Sequence, residues 1–170
     1  KDNTFALESG LNGHFSDYVG HVTLRPSSYL DLSYRFRLDQ SNFSTERSEF
    51  SASVGTNMFR LGANYIFIKP SDASIVELGE REELFAFFDT RLSKYWSLKG
   101  SHREDLGPGG GSIRSSIGIE YEDECFVFGL DIADDNTEDR DFQSGFSVIL
   151  RFTLKTIGEV RLSSSVGVDQ

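Results

Sequence analysis

Tyr29 to Asp39 reads Tyr-Leu-Asp-Leu-Ser-Tyr-Arg-Phe-Arg-Leu-Asp, an unbroken alternation of apolar and polar positions. Successive side chains of an extended strand point to opposite faces. One face therefore carries Leu30, Leu32, Tyr34, Phe36 and Leu38, and the other Asp31, Ser33, Arg35, Arg37 and Asp39. The period holds for about ten residues, roughly what a tilted strand needs to cross a bilayer. A charged face on such a strand has to meet water, and within a membrane that water lies in the lumen of a barrel. The same division recurs downstream. Phe59, Leu61, Ala63, Tyr65 and Phe67 oppose Arg60, Gly62 and Asn64, and Ile113, Ile117, Ile119 and Tyr121 oppose Arg114, Ser116, Gly118 and Glu120. Phe146, Val148, Leu150, Phe152 and Leu154 oppose Ser147, Ile149, Arg151, Thr153 and Lys155. The 3.6-residue period of an amphipathic helix is sustained nowhere.

This pattern predicts nine strands, at Asp17–Arg25, Ser28–Asp39, Thr45–Thr56, Met58–Lys69, Arg81–Ser93, Tyr95–Arg103, Ser112–Asp123, Cys125–Asp134 and Phe142–Lys155. A tenth segment, Glu159–Val168, keeps Val160, Leu162, Val166 and Val168 in register but is thin in large side chains. The connections alternate in length. Short turns are expected at Pro26-Ser27, Asn57, Lys94 and Glu124, and longer loops at Gln40–Ser44, Pro70–Glu80, Glu104–Gly111 and Asp135–Asp141. Short turns at one end and long loops at the other are the habit of outer-membrane barrels, whose short turns face the periplasm. Tyr29, Phe59, Tyr95, Trp96, Tyr121 and Phe126 fall near the short-turn ends, where a membrane barrel places an aromatic girdle. The expected fold class is all-β, a transmembrane antiparallel β-barrel.

Composition is compatible with this but would not have suggested it. The chain is 38% hydrophobic, as a barrel is when only alternate residues touch lipid. No apolar run approaches the ~18 residues of a membrane helix; the longest are Leu84 to Phe88, Tyr65 to Ile68 and Cys125 to Phe128. A net charge of -10 makes nucleic acid a poor partner. No apolar leader follows Lys1-Asp2-Asn3-Thr4; if the protein is exported its signal is expected upstream, a first hint that the chain is a piece of something longer.

Site chemistry is sparse. His14, His21 and His102 have no second ligand at metal spacing, and no Gly-x-Ser-x-Gly elbow occurs. Gly107-Pro108-Gly109-Gly110-Gly111 lacks the Lys-Ser/Thr ending of a phosphate loop and reads as a loop tip. No enzyme, cofactor or metal is expected. The acidic run Asp131, Asp134, Asp135, Glu138, Asp139 and Asp141 offers oxygen ligands suited to Ca²⁺, though a solvated loop explains it more simply. Cys125, the single cysteine, is either an inert thiol or, at a periplasmic turn, a partner for a disulfide outside the chain. Arginine recurs on the polar face, at Arg35, Arg37, Arg60, Arg91, Arg114 and Arg151. Guanidinium recognises phosphate well, but these arginines can equally balance lumenal carboxylates.

Three segments, Tyr121-Glu-Asp-Glu-Cys-Phe126, Asp139-Arg-Asp141 and Leu150-Arg-Phe-Thr-Leu-Lys-Thr-Ile-Gly158, together resemble the C-terminal end of the LptD (OstA, Imp) family of lipopolysaccharide-assembly outer-membrane proteins. Ser28 to Asp39 and Gly62-Ala-Asn-Tyr-Ile-Phe-Ile68 resemble its later barrel strands. The resemblance implies a barrel of 26 strands in the outer membrane of a Gram-negative cell, with this chain supplying the last nine. Residues 1–16 would be an exterior loop segment, residues 17–158 the C-terminal barrel strands and residues 159–170 a C-terminal tail. It implies a translocon that inserts lipopolysaccharide into the outer leaflet without chemistry. Its partners would be lipopolysaccharide, an LptE-like lipoprotein plug and an LptA-like periplasmic bridge. Phe146, Val148, Leu150, Phe152 and Leu154 would lie on the strand beside a lateral gate. Arg35, Arg37, Arg60, Arg114 and Arg151 would face the lumen. Cys125 would hold the place of the cysteines that tie the barrel to a periplasmic jelly roll; many members carry an adjacent pair there, whereas this chain has one. The alternative is a small self-contained outer-membrane channel or structural barrel.

Overall fold

A computed structural model describes residues 16–69, 81–137, 144–156 and 158–167. They form one antiparallel sheet of ten strands, ordered as in the chain: β1 (Tyr18–Ser27), β2 (Leu30–Leu38), β3 (Thr45–Gly55), β4 (Phe59–Ile68), β5 (Arg81–Arg91), β6 (Trp96–Asp105), β7 (Gly111–Glu122), β8 (Phe126–Asp135), β9 (Gly145–Leu154) and β10 (Gly158–Gly167). Each strand pairs with its sequence neighbours, and the sheet is not closed: β1 and β10 each keep one unpaired edge. All nine predicted strands are present within a few residues of their expected ends. Phe142 and Gln143, the start expected for the ninth, lie outside the described residues.

The expectation of nine strands and a tail is corrected to ten strands. Gly158–Gly167 pairs with β9 along its whole length, from Gly158↔Leu154 to Gly167↔Gly145. The edge of β9 presents a row of backbone donors and acceptors that only another strand satisfies in full. Small side chains such as Ser163 and Ser164 do not prevent that pairing, and Gly158 turns the chain into it at a φ of +148°, where a side chain would be strained.

The short turns share one local chemistry. Ser27, Thr56, Ser93 and Asp123 each accept, through a side-chain oxygen, the backbone N–H two residues on; the last three also accept the N–H three residues on. Such side-chain acceptors replace the ladder partners that a reversing backbone gives up. At the other end Asp39 does the same for Ser41 and Asn42. Phe43, at φ +57°, stacks on Tyr18 with ring centroids 5.2 Å apart, which ties that loop to β1.

The row of register partners Leu32, Ala52, Ala63, Ala86, His102, Ser115, Asp134, Phe146 runs straight across β2 to β9. Leu32 stands two residues from the short-turn end of its strand and Phe146 eight residues from the same end of β9. That climb of six residues is about 20 Å, over seven strand spacings of about 34 Å together, a tilt of roughly 30°. Barrel walls tilt by a similar amount.

Among the described residues no second layer covers either face, and the one buried apolar side chain is Ala133. On the face that carries Leu32, large apolar residues stand open: Leu61 is 47% exposed and Ile117 49%. A soluble sheet buries such a face against another layer. A sheet that leaves it uncovered along every strand is built for lipid on that side.

Candidate functional site

The ladder registers sort the side chains into two continuous surfaces. The apolar surface runs through pairs such as Leu30↔Val54, Leu61↔Phe88, Leu98↔Ile119, Leu130↔Leu150 and Leu150↔Leu162. Phe146, Val148, Leu150, Phe152 and Leu154 all lie on it. Their strand is paired on both sides, so the free edge at this end of the sheet belongs to β10, one strand further out. At the short-turn end this surface closes in a cluster of rings: Tyr121 lies 5.9 Å from Tyr95, 5.1 Å from Trp96 and 5.4 Å from Phe126, and Phe126 lies 5.6 Å from Phe152. Four of the six residues of the expected girdle, Tyr95, Trp96, Tyr121 and Phe126, are thus joined in one cluster.

The opposite surface is a lattice of ion pairs. Arg35 faces Glu49 at 3.9 Å, Arg37 faces Asp17 at 3.6 Å, Arg114 faces Asp135 at 3.1 Å and Arg151 faces Glu120 at 2.6 Å. Four of the five arginines expected to line a lumen thus serve carboxylates of the sheet itself. Among the described residues Arg60 has no ion pair. Two bridges span a whole strand: Lys99 on β6 reaches Asp131 on β8 (3.1 Å), and Arg151 on β9 reaches Glu120 on β7. Each crosses a glycine that is the register partner of both residues, Gly118 in the first case and Gly129 in the second. A Cβ at Gly118 would meet the Lys99 Cε at 2.8 Å, and one at Gly129 the Arg151 Nη2 at 3.2 Å. These glycines are windows through which side chains two strands apart make contact.

Cys125 is exposed, in the turn between β7 and β8. Asp123 anchors that turn: its Oδ1 accepts the N–H groups of Phe126 and Cys125, both at 2.8 Å. Those two donors, Phe126 first, hold the carboxyl below the usual carboxylate range. Asp39 is lowered in the same sense, chiefly by the Ser41 hydroxyl and then by the backbone N–H groups of Ser41 and Asn42. Lys155 completes the Cys125 end, donating to Glu122 at 2.9 Å and to the Asp123 carbonyl.

The remaining sequence candidates disperse. His21 bonds Thr23 on the polar face, while His102 lies on the apolar face with Ser115 at 2.8 Å and Glu104 at 3.8 Å. His14 lies outside the described residues, as do Glu138, Asp139 and Asp141 of the acidic run. Asp131 and Asp135 from that run are engaged by Lys99 and Arg114, and no metal-holding cluster occurs among the described residues.

Two features escaped the sequence reading. One is the pair of glycine windows, which only the register reveals. The other is the run Leu84 to Phe88, where Leu84, Ala86 and Phe88 lie on the apolar surface but Phe85 and Phe87 stand on the polar one, opposite Arg103 and Ser101. Strict alternation applied to that run would have found them.

An antiparallel sheet with one uncovered apolar face, one ion-paired face, an aromatic cluster at its short-turn end and tilted strands has the character of a portion of a transmembrane β-barrel. Residues 1–99 match the family LptD, described as LPS transport system D, and the chain belongs to that family of outer-membrane lipopolysaccharide-transport proteins. No curated protein and no solved structure matches the chain.

Proposed function

We propose that this chain is part of the wall of the outer-membrane translocon that delivers lipopolysaccharide to the outer leaflet, with its polar face turned to a hydrated lumen. The observation that carries the reading is the family match joined to a lipid-facing sheet with two open edges. Open edges are not tolerated in hydrocarbon, which favours a larger barrel, of 26 strands in this reading, over a self-contained small one. The gate then lies at the free edge of β10. Phe146, Val148, Leu150, Phe152 and Leu154 support that edge from one strand behind.

In this reading the acyl chains leave sideways into the membrane at the seam, and the sugars cross along the polar wall. Arg35, Arg37, Arg114 and Arg151, held by carboxylates, shape that wall more than they bind substrate. An LptE-like lipoprotein fills part of the lumen and an LptA-like bridge delivers from the periplasm. Cys125, exposed among the short turns, is the point for a disulfide to a periplasmic domain.

The test is conditional depletion of the intact protein in its own host, with pulse-labelled lipopolysaccharide followed to the cell surface. Newly made lipopolysaccharide should accumulate in the inner membrane within a few generations. Undiminished arrival at the surface would overturn the reading.

A further inference from the structure

Phe85 and Phe87 are out of place. Their rings stack with centroids 5.8 Å apart, and they are the aromatic residues on a surface whose other apolar strand residues among those described, such as Ile66, Ile68, Val127 and Ile149, are aliphatic. An apolar patch on a hydrated wall marks a place where something with an apolar face binds. Phe87 has a partial structural explanation, since its ring lies over Gly62 and shields that bare stretch of strand. Phe85 has no such glycine; instead the Arg103 guanidinium lies over it, 5.5 Å from the ring centroid.

The charges around the pair are also unusual. Among the described residues, Arg60, Arg91 and Arg103 make no ion pair, in contrast to Arg35, Arg114 and Arg151 on the same surface. Arg60 and Arg91 line, with the two phenylalanines, Asp89 and Ser101, an open concavity of about 730 Å³. Within it Lys99 and Asp131 neutralise each other, which leaves two guanidinium groups against the single carboxylate of Asp89. This is a positive spot in a chain of net charge -10.

We infer that this concavity is a binding subsite for a phosphorylated sugar. A pyranose ring presents a C–H face, which stacks on an aromatic ring, and a rim of hydroxyls, which Asp89 and Ser101 suit as acceptor and donor. A phosphate on that sugar meets Arg60 and Arg91, two guanidinium groups that share the one carboxylate of Asp89 and form no ion pair with it, so their donors are open to a bidentate phosphate contact. The cavity lies within the ~300–1,000 Å³ range of small-molecule sites. The inference rests on the export reading and deepens it: the sugars have one defined resting point on this wall, set between β4 and β6, rather than a uniformly wet passage.

The test titrates a deacylated, phosphorylated glucosamine disaccharide into the intact detergent-solubilised barrel protein, followed by saturation-transfer NMR. Binding in the millimolar range is expected. The doubly substituted Phe85→Leu/Arg60→Gln protein should bind at least tenfold more weakly, while Arg47→Gln, which removes a cation paired with Glu49, should bind as the parent does. No binding to the parent, or equal binding by all three, overturns the subsite. Should the double variant fail to fold, a photoreactive residue at Ser101 in otherwise unaltered protein decides. It should cross-link lipopolysaccharide in cells several-fold more than one at Ser33 on the same face, and equal yields overturn the proposal. The depletion experiment separates the two readings: blocked delivery with no disaccharide binding removes the subsite alone, and undisturbed delivery removes the export role.

Discussion

Replacing Gly62 by alanine should change sign according to what stands at position 87. A Cβ built on Gly62 would lie 2.5 Å from Cζ and 2.6 Å from Cε1 of Phe87, and 3.2 Å from the Ala52 carbonyl oxygen. The backbone contact is tight but tolerable; the ring contact is not, so the ring must swing off the strand, away from the sheet. Lifting it exposes on the order of 60–80 Å² of apolar surface, about 1.5–2 kcal/mol. Alanine recovers about 0.5–1 kcal/mol of the backbone entropy that glycine costs in a strand. The net effect is a destabilisation of about 1 kcal/mol. With Phe87→Ala already in place no ring has to move, and Gly62→Ala should stabilise by about 0.5–1 kcal/mol, giving a coupling of about 1.5–2 kcal/mol between the two sites. The readout is hydrogen exchange of the β4 and β5 amides in the intact protein in lipid nanodiscs, because it reports local opening without requiring a two-state transition. An equal effect of Gly62→Ala in both backgrounds would refute the account of Phe87 as the cover for that glycine.

Two further outcomes follow from the polar face and the turns. Arg151→Leu should cost about 1–2 kcal/mol in the same exchange measurement, since it strands Glu120; both side chains are a little under one third exposed (28% and 29%), so solvent screening keeps the figure modest. Adding Glu120→Leu should recover most of that loss, and simple additivity of the two losses would contradict the pairing. The Asp123 turn should depend on pH: its folded carboxyl is lowered, so its contribution is complete above the unfolded value near 3.8 and lost as pH falls through the folded value. Protection at Cys125 and Phe126, corrected for intrinsic exchange, should hold level from neutral pH to about 5 and fall only in strong acid. Asp123→Asn should remove that acid-induced change, and a decline beginning near neutrality would point to another group.

Most of the sheet was legible because a strand buried on one side writes its own period. β2 shows this best: Leu30 to Leu38 alternates without a fault, and both faces followed directly. β10 was harder. Its period is intact at Val160 and Leu162, yet serines supply little apolar surface, and what recruits it is the open edge of β9, a property of the neighbour and not of the segment. The ion-pair lattice was legible as to residue type but not as to partners. Lys99 finds Asp131, and Arg151 finds Glu120, only because turns of particular length bring Gly118 and Gly129 between them. Pairing across two strands depends on two registers at once, and an error of one residue in either would assign the wrong partner. Phe85 and Phe87 were concealed in a different way, inside a run whose five apolar residues suggest burial on both sides when only one side is lipid.

The slanting row from Leu32 to Phe146 makes the wall behave like a screw thread. A change in one strand's length does not stay in that strand, because every later strand is indexed to it through the ladder. Loss of a single residue within β4 would turn Phe59 or Phe67 and their neighbours inside out. Loss of two would keep inside and outside correct but move the rest of the thread by about 7 Å along the strands, carrying the rim of β10 out of step with whatever closes on it. Length changes in this chain are therefore expected to be tolerated in the long loops, to come in pairs where they touch a strand, and to be felt most at the seam furthest from where they occur.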